Sequence, residues 1–343
     1  MRCECTQPAW RETALQLQCS KISAHSSEWL AEKLEMLSFI FPGQGSQRVG
    51  MGRDLVDAYP ECRSTFEEAD EVLGESLSRL CFDGPEDRLT LTENAQPAIL
   101  TVSIAMYRGL VERGLTPTCV AGHSLGEYSA HVAAGTIAFA DALGIVKRRG
   151  RYMQEAVPIG DGAMAAILGL DASSVKQACD EASNGEIVAP ANLNAPRQIV
   201  IAGAREAVRR AGEVARRMGA KRVISLTVSA PFHCALMQPV ADRLAPELRG
   251  LSATDPRIPV IANVDAEPKR DARASVDALI QQIASPVLWE KVVRRLASDG
   301  SRTYVEVGPG SVLTGLMKKI DRALRAVAVD TLPTLNDAKE LIG

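Results

Sequence analysis

The sequence predicts an α/β protein: a mostly parallel sheet covered by helices on both faces, carrying an inserted ferredoxin-like small subdomain. Three observations lead there. Short apolar runs alternate with amphipathic helical stretches along most of the chain, the pattern of parallel strands joined by crossover helices. Gly122-His123-Ser124-Leu125-Gly126 joins one such run to a helix, the pattern of a nucleophile elbow. Between Gly162 and Val228 the order becomes strand-helix-strand-strand-helix-strand, that of a ferredoxin-like unit.

Composition narrows the function classes. At 343 residues, with 46% hydrophobic and 24% charged residues, the chain can hold a large core plus a subdomain. A net charge of -3 argues against a nucleic-acid binder. No apolar run has the length of a membrane span. The eight cysteines follow no repeated spacing, and no signal peptide is legible, so reduced thiols and a cytoplasmic location are expected.

Residues 1–36 differ from the rest of the chain. They lack a clear strand and hold polar runs, and their acidic residues argue against a transit peptide. A disordered extension or a mis-assigned start is expected there. Cys3, Cys5, Cys19 and His25 fit no common zinc spacing, so no metal is expected. Leu37–Phe41 reads as the first strand, ending in the loop Pro42-Gly-Gln-Gly-Ser-Gln47. That loop can cradle an anion through its backbone, present Gln44 to a site, or simply connect strand to helix. Arg63–Leu73 reads as a helix. Pro97 suits a helix start, with Ala98–Arg113 following.

Thr118–Ala121 is the strand before the elbow, and Leu125–Ala134 is the helix after it. Glycines permit the sharp turn that lifts the Ser124 hydroxyl out of the backbone, as in α/β-hydrolase-like cores. The Leu125 N–H then points at any oxyanion formed by attack at Ser124. Phe139–Met153 reads as a helix whose apolar face excludes Arg148 and places Arg149 about 80° from its centre, at the edge. An arginine there needs an anion, either a structural carboxylate or a substrate.

The inserted unit runs through strand Ala163–Leu168, helix Ser173–Ala182, strands Ile187–Leu193 and Ile199–Ala202, helix Arg205–Met218 and strand Arg222–Val228. The expected boundaries are 37–158 and 230–343 for the core and 159–229 for the insertion, with a cleft between the lobes. Pro231 then breaks the strand, and His233 opens the next helical stretch. Of four histidines, His25 lies in the extension, His131 sits on the helix after the elbow, and His123 points away from Ser124. His233 remains, either as a base for Ser124 or as a helix-cap residue. Strands at Pro259–Asn263, Tyr304–Val307 and Arg325–Val329 and helices at Val276–Ile283, Pro286–Leu296 and Val312–Ile320 complete the pattern.

Phe41-Pro-Gly-Gln-Gly-Ser-Gln47, Gly122-His-Ser-Leu-Gly-Glu-Tyr128, Arg148-Arg149-Gly150, Phe232-His233 and Glu306-Val-Gly-Pro-Gly310 occur in that order. Together they resemble the malonyl-CoA:acyl-carrier-protein transacylases of type II fatty acid synthesis, over roughly 37–330. The resemblance implies Ser124 as nucleophile and His233 as its base, with the imidazole held by a backbone carbonyl near Gln282 instead of a carboxylate. It implies Arg149 as the ligand of the malonyl carboxylate and Gln44 with the Leu125 N–H at the oxyanion. Asn192 and Asn194 would border the cleft, His123 would support the site, and Phe232 would narrow the pocket in favour of malonyl over methylmalonyl. No cofactor is implied, since malonyl-CoA is a substrate; an acyl carrier protein is the partner, and a monomer is expected.

Basic surface at Lys147-Arg148, Arg151, Arg209-Arg210, Arg216-Arg217, Lys221-Arg222 and Lys318-Lys319 offers docking for an acidic carrier, or is a solvated face. Three other readings stand beside this one. A stand-alone acyltransferase loading polyketide carrier domains shares the chemistry. A serine thioesterase shares the elbow, but no Asp or Glu stands out as the orienting acid. A non-catalytic acyl sensor would be expected to lack the serine, histidine or arginine, all of which are present.

Overall fold

The computed structural model describes residues 36–158 and 160–342. Residues 1–35, and with them most of the expected extension and Cys3, Cys5, Cys19 and His25, lie outside the described residues. The chain order is β1 (Met36–Phe41), α1 (Pro60–Leu73), α2 (Thr92–Glu112), β2 (Cys119–Gly122), α3 (Leu125–Ala133) and α4 (Phe139–Glu155). Then come β3 (Gly162–Leu168), α5 (Ala172–Ala182), β4 (Val188–Ala195), β5 (Gln198–Ala204), α6 (Arg205–Arg217) and β6 (Arg222–Ser225). The last part holds α7 (Gln238–Arg249), β7 (Val260–Ile261), β8 (Pro268–Lys269), α8 (Ala272–Gln282), α9 (Trp289–Ser298), β9 (Ser301–Val307), α10 (Val312–Ile320) and β10 (Arg325–Val329), with short helices between.

The large sheet has the order β10-β9-β1-β2-β7-β8, parallel throughout except for β8. Side chains on successive strand residues point to opposite faces, and here both faces are buried. Phe39 and Phe41 enter the core built with α1 to α4, α7 and α8, while Ile40 enters the core built with α9 and α10. That explains the apolar run of β1, interrupted only by Ser38, whose hydroxyl pairs with that of Ser301. The second sheet is antiparallel, in the order β4-β5-β3-β6. Ala165 and Ile167 pack on α5 and α6, and Met164 packs on the other face with Cys234 and Phe232, against the large lobe.

Four elements differ from the sequence expectation for physical reasons. Pro97 lies inside α2, which begins at Thr92 and not after the proline. Its missing N–H removes one helical bond near the N-terminus, and the rest of the buried helix carries the turn. The helix expected at Pro286 begins at Trp289, because the Val287 backbone instead bonds β4: Leu193 N–H donates to Val287 O and Val287 N–H to Ala191 O. β6 ends at Ser225, although the Leu226 N–H still donates to Met164 O of β3, and the chain from Leu226 to Val228 runs on to border a cleft. His233 does not open a helix; its φ of 60° excludes right-handed helical geometry, and a 3-10 turn begins at Ala235.

Candidate active site

The site lies at the carboxyl ends of β1, β2 and β7, where open α/β sheets bind ligands. A cavity of about 510 Å³ opens there between the two sheets. Ser124, Leu125, His123, His233, Arg149, Gln44, Phe232, Asn192 and Asn194 all line it, and Gln282 stands behind its wall.

Ser124 sits at φ 53° and ψ -107°, immediately before α3. The turn requires glycine on both sides of the serine, because its backbone leaves no room for a side chain there. A Cβ on Gly122 would lie 1.9 Å from the Gly126 carbonyl, and one on Gly126 would lie 2.1 Å from Phe41 O. Asn263, just past the end of β7, ties the turn from outside. Its Oδ1 accepts from Ser124 N–H at 2.7 Å, and its Nδ2 donates to Gly122 O at 2.7 Å.

Ser124 Oγ lies 2.7 Å from His233 Nε2, and His233 Nδ1 lies 3.0 Å from the Gln282 carbonyl. A carbonyl can only accept, so Nδ1 carries the proton and Nε2 presents its lone pair to the serine. Burial pushes His233 down to about 3, helped by the Arg149 charge, so the imidazole is neutral at physiological pH. A neutral imidazole on a serine hydroxyl is the arrangement that lets a base take the proton as the oxygen attacks.

Arg149 is 1% exposed, although the helix pattern placed it at an edge. Its Nη1 donates to Gln96 Oε1 at 2.8 Å, and its Nη2 donates to Gln282 Oε1 at 2.9 Å and to Ser124 Oγ at 3.2 Å. The Tyr128 ring lies 5.3 Å from the guanidinium carbon. Among the described residues no carboxylate hydrogen-bonds Arg149. The cation is held by neutral amides and aimed at the nucleophile. Arg148, by contrast, faces outward and pairs with Glu247.

The Gln44 side chain is already engaged, with Nε2 donating to Thr92 Oγ1 at 3.1 Å. The Leu125 N–H is a first-turn donor of α3 and has no intrahelical acceptor. His123 pairs its Nε2 with Asn194 Oδ1 at 2.8 Å, tying the elbow to the small sheet, and its ring meets Trp289 edge-on. Glu306 caps α10, accepting from Leu313 N–H at 3.0 Å and Thr314 N–H at 2.7 Å, which accounts for the acid of its motif. His131 is fully buried outside the cavity, and neither ring nitrogen has a protein partner.

Sequence reasoning missed Gln96, Asn263 and Glu127 as site residues. Gln96 sits on the turn of α2 that was expected to precede the helix. Asn263 was visible only as the end of a strand, and Glu127 only as part of the elbow motif. Among the described residues no group of three or more His, Cys, Asp or Glu side chains is placed to hold a metal ion. The described cysteines are free and buried, and no described helix is long and apolar enough to cross a membrane.

A sheet of this topology with a serine-histidine pair and a buried arginine in one cleft defines an acyl-transferring α/β protein. The profile of the family described as acyl transferase domain matches residues 38–337. The malonyl CoA-acyl carrier protein transacylase of Escherichia coli strain K12 is 49% identical over 309 residues, covering 90% of this chain and all of that protein. The crystal structure of an acyl carrier protein S-malonyltransferase from Vibrio cholerae is 48% identical, with a TM-score of 0.87 over 88% of this chain and 99% of the other. A malonyl-transacylase in complex with its type II PKS acyl-carrier protein has the same identity, 48%, and a TM-score of 0.87 over 89% and 99% of the two chains. The chain belongs to the malonyl CoA-acyl carrier protein transacylase family.

Proposed function

We propose that this enzyme moves a malonyl group from malonyl-CoA to the phosphopantetheine thiol of an acyl carrier protein, through an ester on Ser124. His233 takes the hydroxyl proton as Ser124 Oγ bonds to the thioester carbonyl carbon. The oxyanion is met by the Leu125 N–H and, since the Gln44 side chain is tied to Thr92, by the Gln44 backbone N–H; a donor so placed is worth about 3 kcal/mol. The C–S bond breaks, and the imidazolium returns its proton to the departing coenzyme A sulfur. The carrier thiol then gives its proton to His233 and attacks the ester carbonyl. The C–O bond breaks, and Ser124 recovers its proton. No external oxidant, metal or cofactor enters this balance.

One observation carries the reading: a buried guanidinium that no carboxylate among the described residues contacts stands 3.2 Å from Ser124 Oγ, which is itself 2.7 Å from a neutral imidazole. That arrangement suits an acyl group ending in a carboxylate, and Phe232 on the cavity wall favours malonyl over methylmalonyl. The turn at Ser124 supports a nucleophile elbow. The order β4-β5-β3-β6 with two covering helices supports a ferredoxin-like subdomain, 159–229, inserted between 37–158 and 230–343. In this reading the protein works as a cytoplasmic monomer. The carrier belongs to fatty acid synthesis or, as with the relative bound to a polyketide carrier, to polyketide synthesis. Lys318 and Lys319 end α10, whose first turn lines the cavity mouth, and offer an acidic carrier a place to dock.

Intact mass of the protein incubated separately with malonyl-, methylmalonyl- and acetyl-CoA, then with each holo-carrier, tests the proposal. A malonyl adduct that forms on the native protein, is absent in Ser124→Ala and moves to a carrier is expected. An adduct that is lost to water at the same rate without a carrier would instead identify a hydrolase.

A further inference from the structure

Arg149 is a buried cation at the wall of the cavity, and its counter-charge stands one residue away. Gln282 accepts from Arg149 through Oε1 at 2.9 Å and donates through Nε2 to Glu127 Oε2 at 2.8 Å. Because one end of an amide only accepts and the other only donates, the guanidinium and the carboxylate impose the same direction on it. Glu127 is 0% exposed, its Oε2 also accepts from Asn263 N–H at 3.0 Å, and its Oε1 has no protein partner. Among the described groups acting on it, Gln282 of α8 and Asn263 beyond β7 are neutral, Asp265 beyond β7 is an acid, and Arg149 of α4 is the cation.

We propose that Glu127 is the counter-ion of Arg149 held at one residue's remove, and that its charge sets how tightly the guanidinium holds the acyl carboxylate. This rests on the reading that Arg149 receives that carboxylate. A protein acid in direct contact would occupy the guanidinium, and a buried guanidinium without any counter-charge would be expensive to fold. Gln282 separates the two charges enough to avoid both. An ionised Glu127 opposes the arriving acyl carboxylate, and a neutral one does not.

Burial pushes Glu127 up to about 7, against the pull of its bonds to Gln282 and Asn263 and of the Arg149 charge. Its charge is therefore mostly present at pH 8 and mostly absent at pH 6, while His233, held near about 3, stays neutral at both.

The test measures half-saturating concentrations of malonyl-CoA and acetyl-CoA for acyl-enzyme formation, at pH 6 and pH 8. It uses the full chain in native, Glu127→Gln and Arg149→Ala forms. In the native protein the ratio of malonyl to acetyl half-saturation should rise about threefold to tenfold between pH 6 and pH 8. Glu127→Gln keeps the acceptor oxygen and removes the charge, so its ratio should hold the pH 6 value at both. A native ratio that does not change with pH overturns the inference without any variant, as does a Glu127→Gln ratio that follows the native one. If Glu127→Gln fails to fold, the native profile and its disappearance in Arg149→Ala decide. Preference for malonyl surviving in Arg149→Ala would overturn the underlying reading of Arg149 itself, an outcome separate from the other two.

Discussion

A serine hydroxyl is a weak nucleophile, and at Ser124 it is the neighbours that change its chemistry. His233 is kept neutral by burial and directed by the Gln282 carbonyl, so its free nitrogen faces the hydroxyl. Arg149 adds a donor on the other side at 3.2 Å. Removing that guanidinium should act chiefly through the acyl carboxylate, with the loss of its bond to Ser124 Oγ shared by every acyl group. We expect Arg149→Ala to lower kcat/KM for malonyl transfer about a hundredfold, as for loss of one partner of a desolvated charge pair. Acetyl transfer should change far less, and equal losses for the two acyl groups would assign Arg149 a structural role. The reactive residue types were legible at this scale because serine between two glycines and a histidine at a broken strand are local signals. Asn263 was not, because it lies 139 residues from Ser124 and 136 from Glu127, the groups it holds. Nothing local in sequence marks such a partner.

Element identity followed from periodicity, and element ends did not. β1 reads as a strand because both of its faces are buried, and α3 follows Ser124 because the glycines admit the turn. The glycine requirement makes a direct prediction. Gly122→Ala would place a methyl 1.9 Å from the Gly126 carbonyl, so the turn must open. Unfolding in urea should show a loss of about 3 kcal/mol, with acyl-serine formation falling further than stability does. A variant of native stability and native acylation would show that the turn tolerates the methyl. Pro97 shows where local rules fail: a proline that suits a helix start was absorbed into a longer, mostly buried helix. The gain is functional, since the added turn carries Gln96 to Arg149. Likewise α9 starts late because Val287 is committed to another sheet.

For the whole molecule, burial of histidine sets the acid limit. His123, His131 and His233 are all pushed below their usual range by burial, His131 and His233 to about 3. The unfolded chain takes up these protons below about pH 6.5, and the folded chain takes them up only at lower pH. The contribution of His131 and of His233 is complete above about pH 6.5 and is lost as the pH falls towards about 3, each with a slope approaching about 1.4 kcal/mol per pH unit. Urea midpoints should therefore fall steadily from pH 7 to pH 4, and His131→Leu should flatten that fall; an unchanged slope would mean that His131 is protonated in the fold. At the same scale, transfer to an acidic carrier should weaken with salt if Lys318 and Lys319 steer docking. Most of the basic runs seen in the sequence are engaged elsewhere, Lys147 with Glu75, Arg210 with Glu186 and Arg217 with Glu181. Pairings of that kind depend on the fold and could not be read in advance.

The backbone bonds between β4 and Val287 have a consequence outside catalysis. β4 is the outer strand of its sheet, and an outer strand with free amides and carbonyls is a template on which another chain can add. Here Val287 takes up the Leu193 amide and the Ala191 carbonyl. The contact that brings Asn192 to the cleft thus also closes the strand to its neighbours in a crowded solution. Loosening this contact would open the edge of β4 to pairing as well as disturb the cleft.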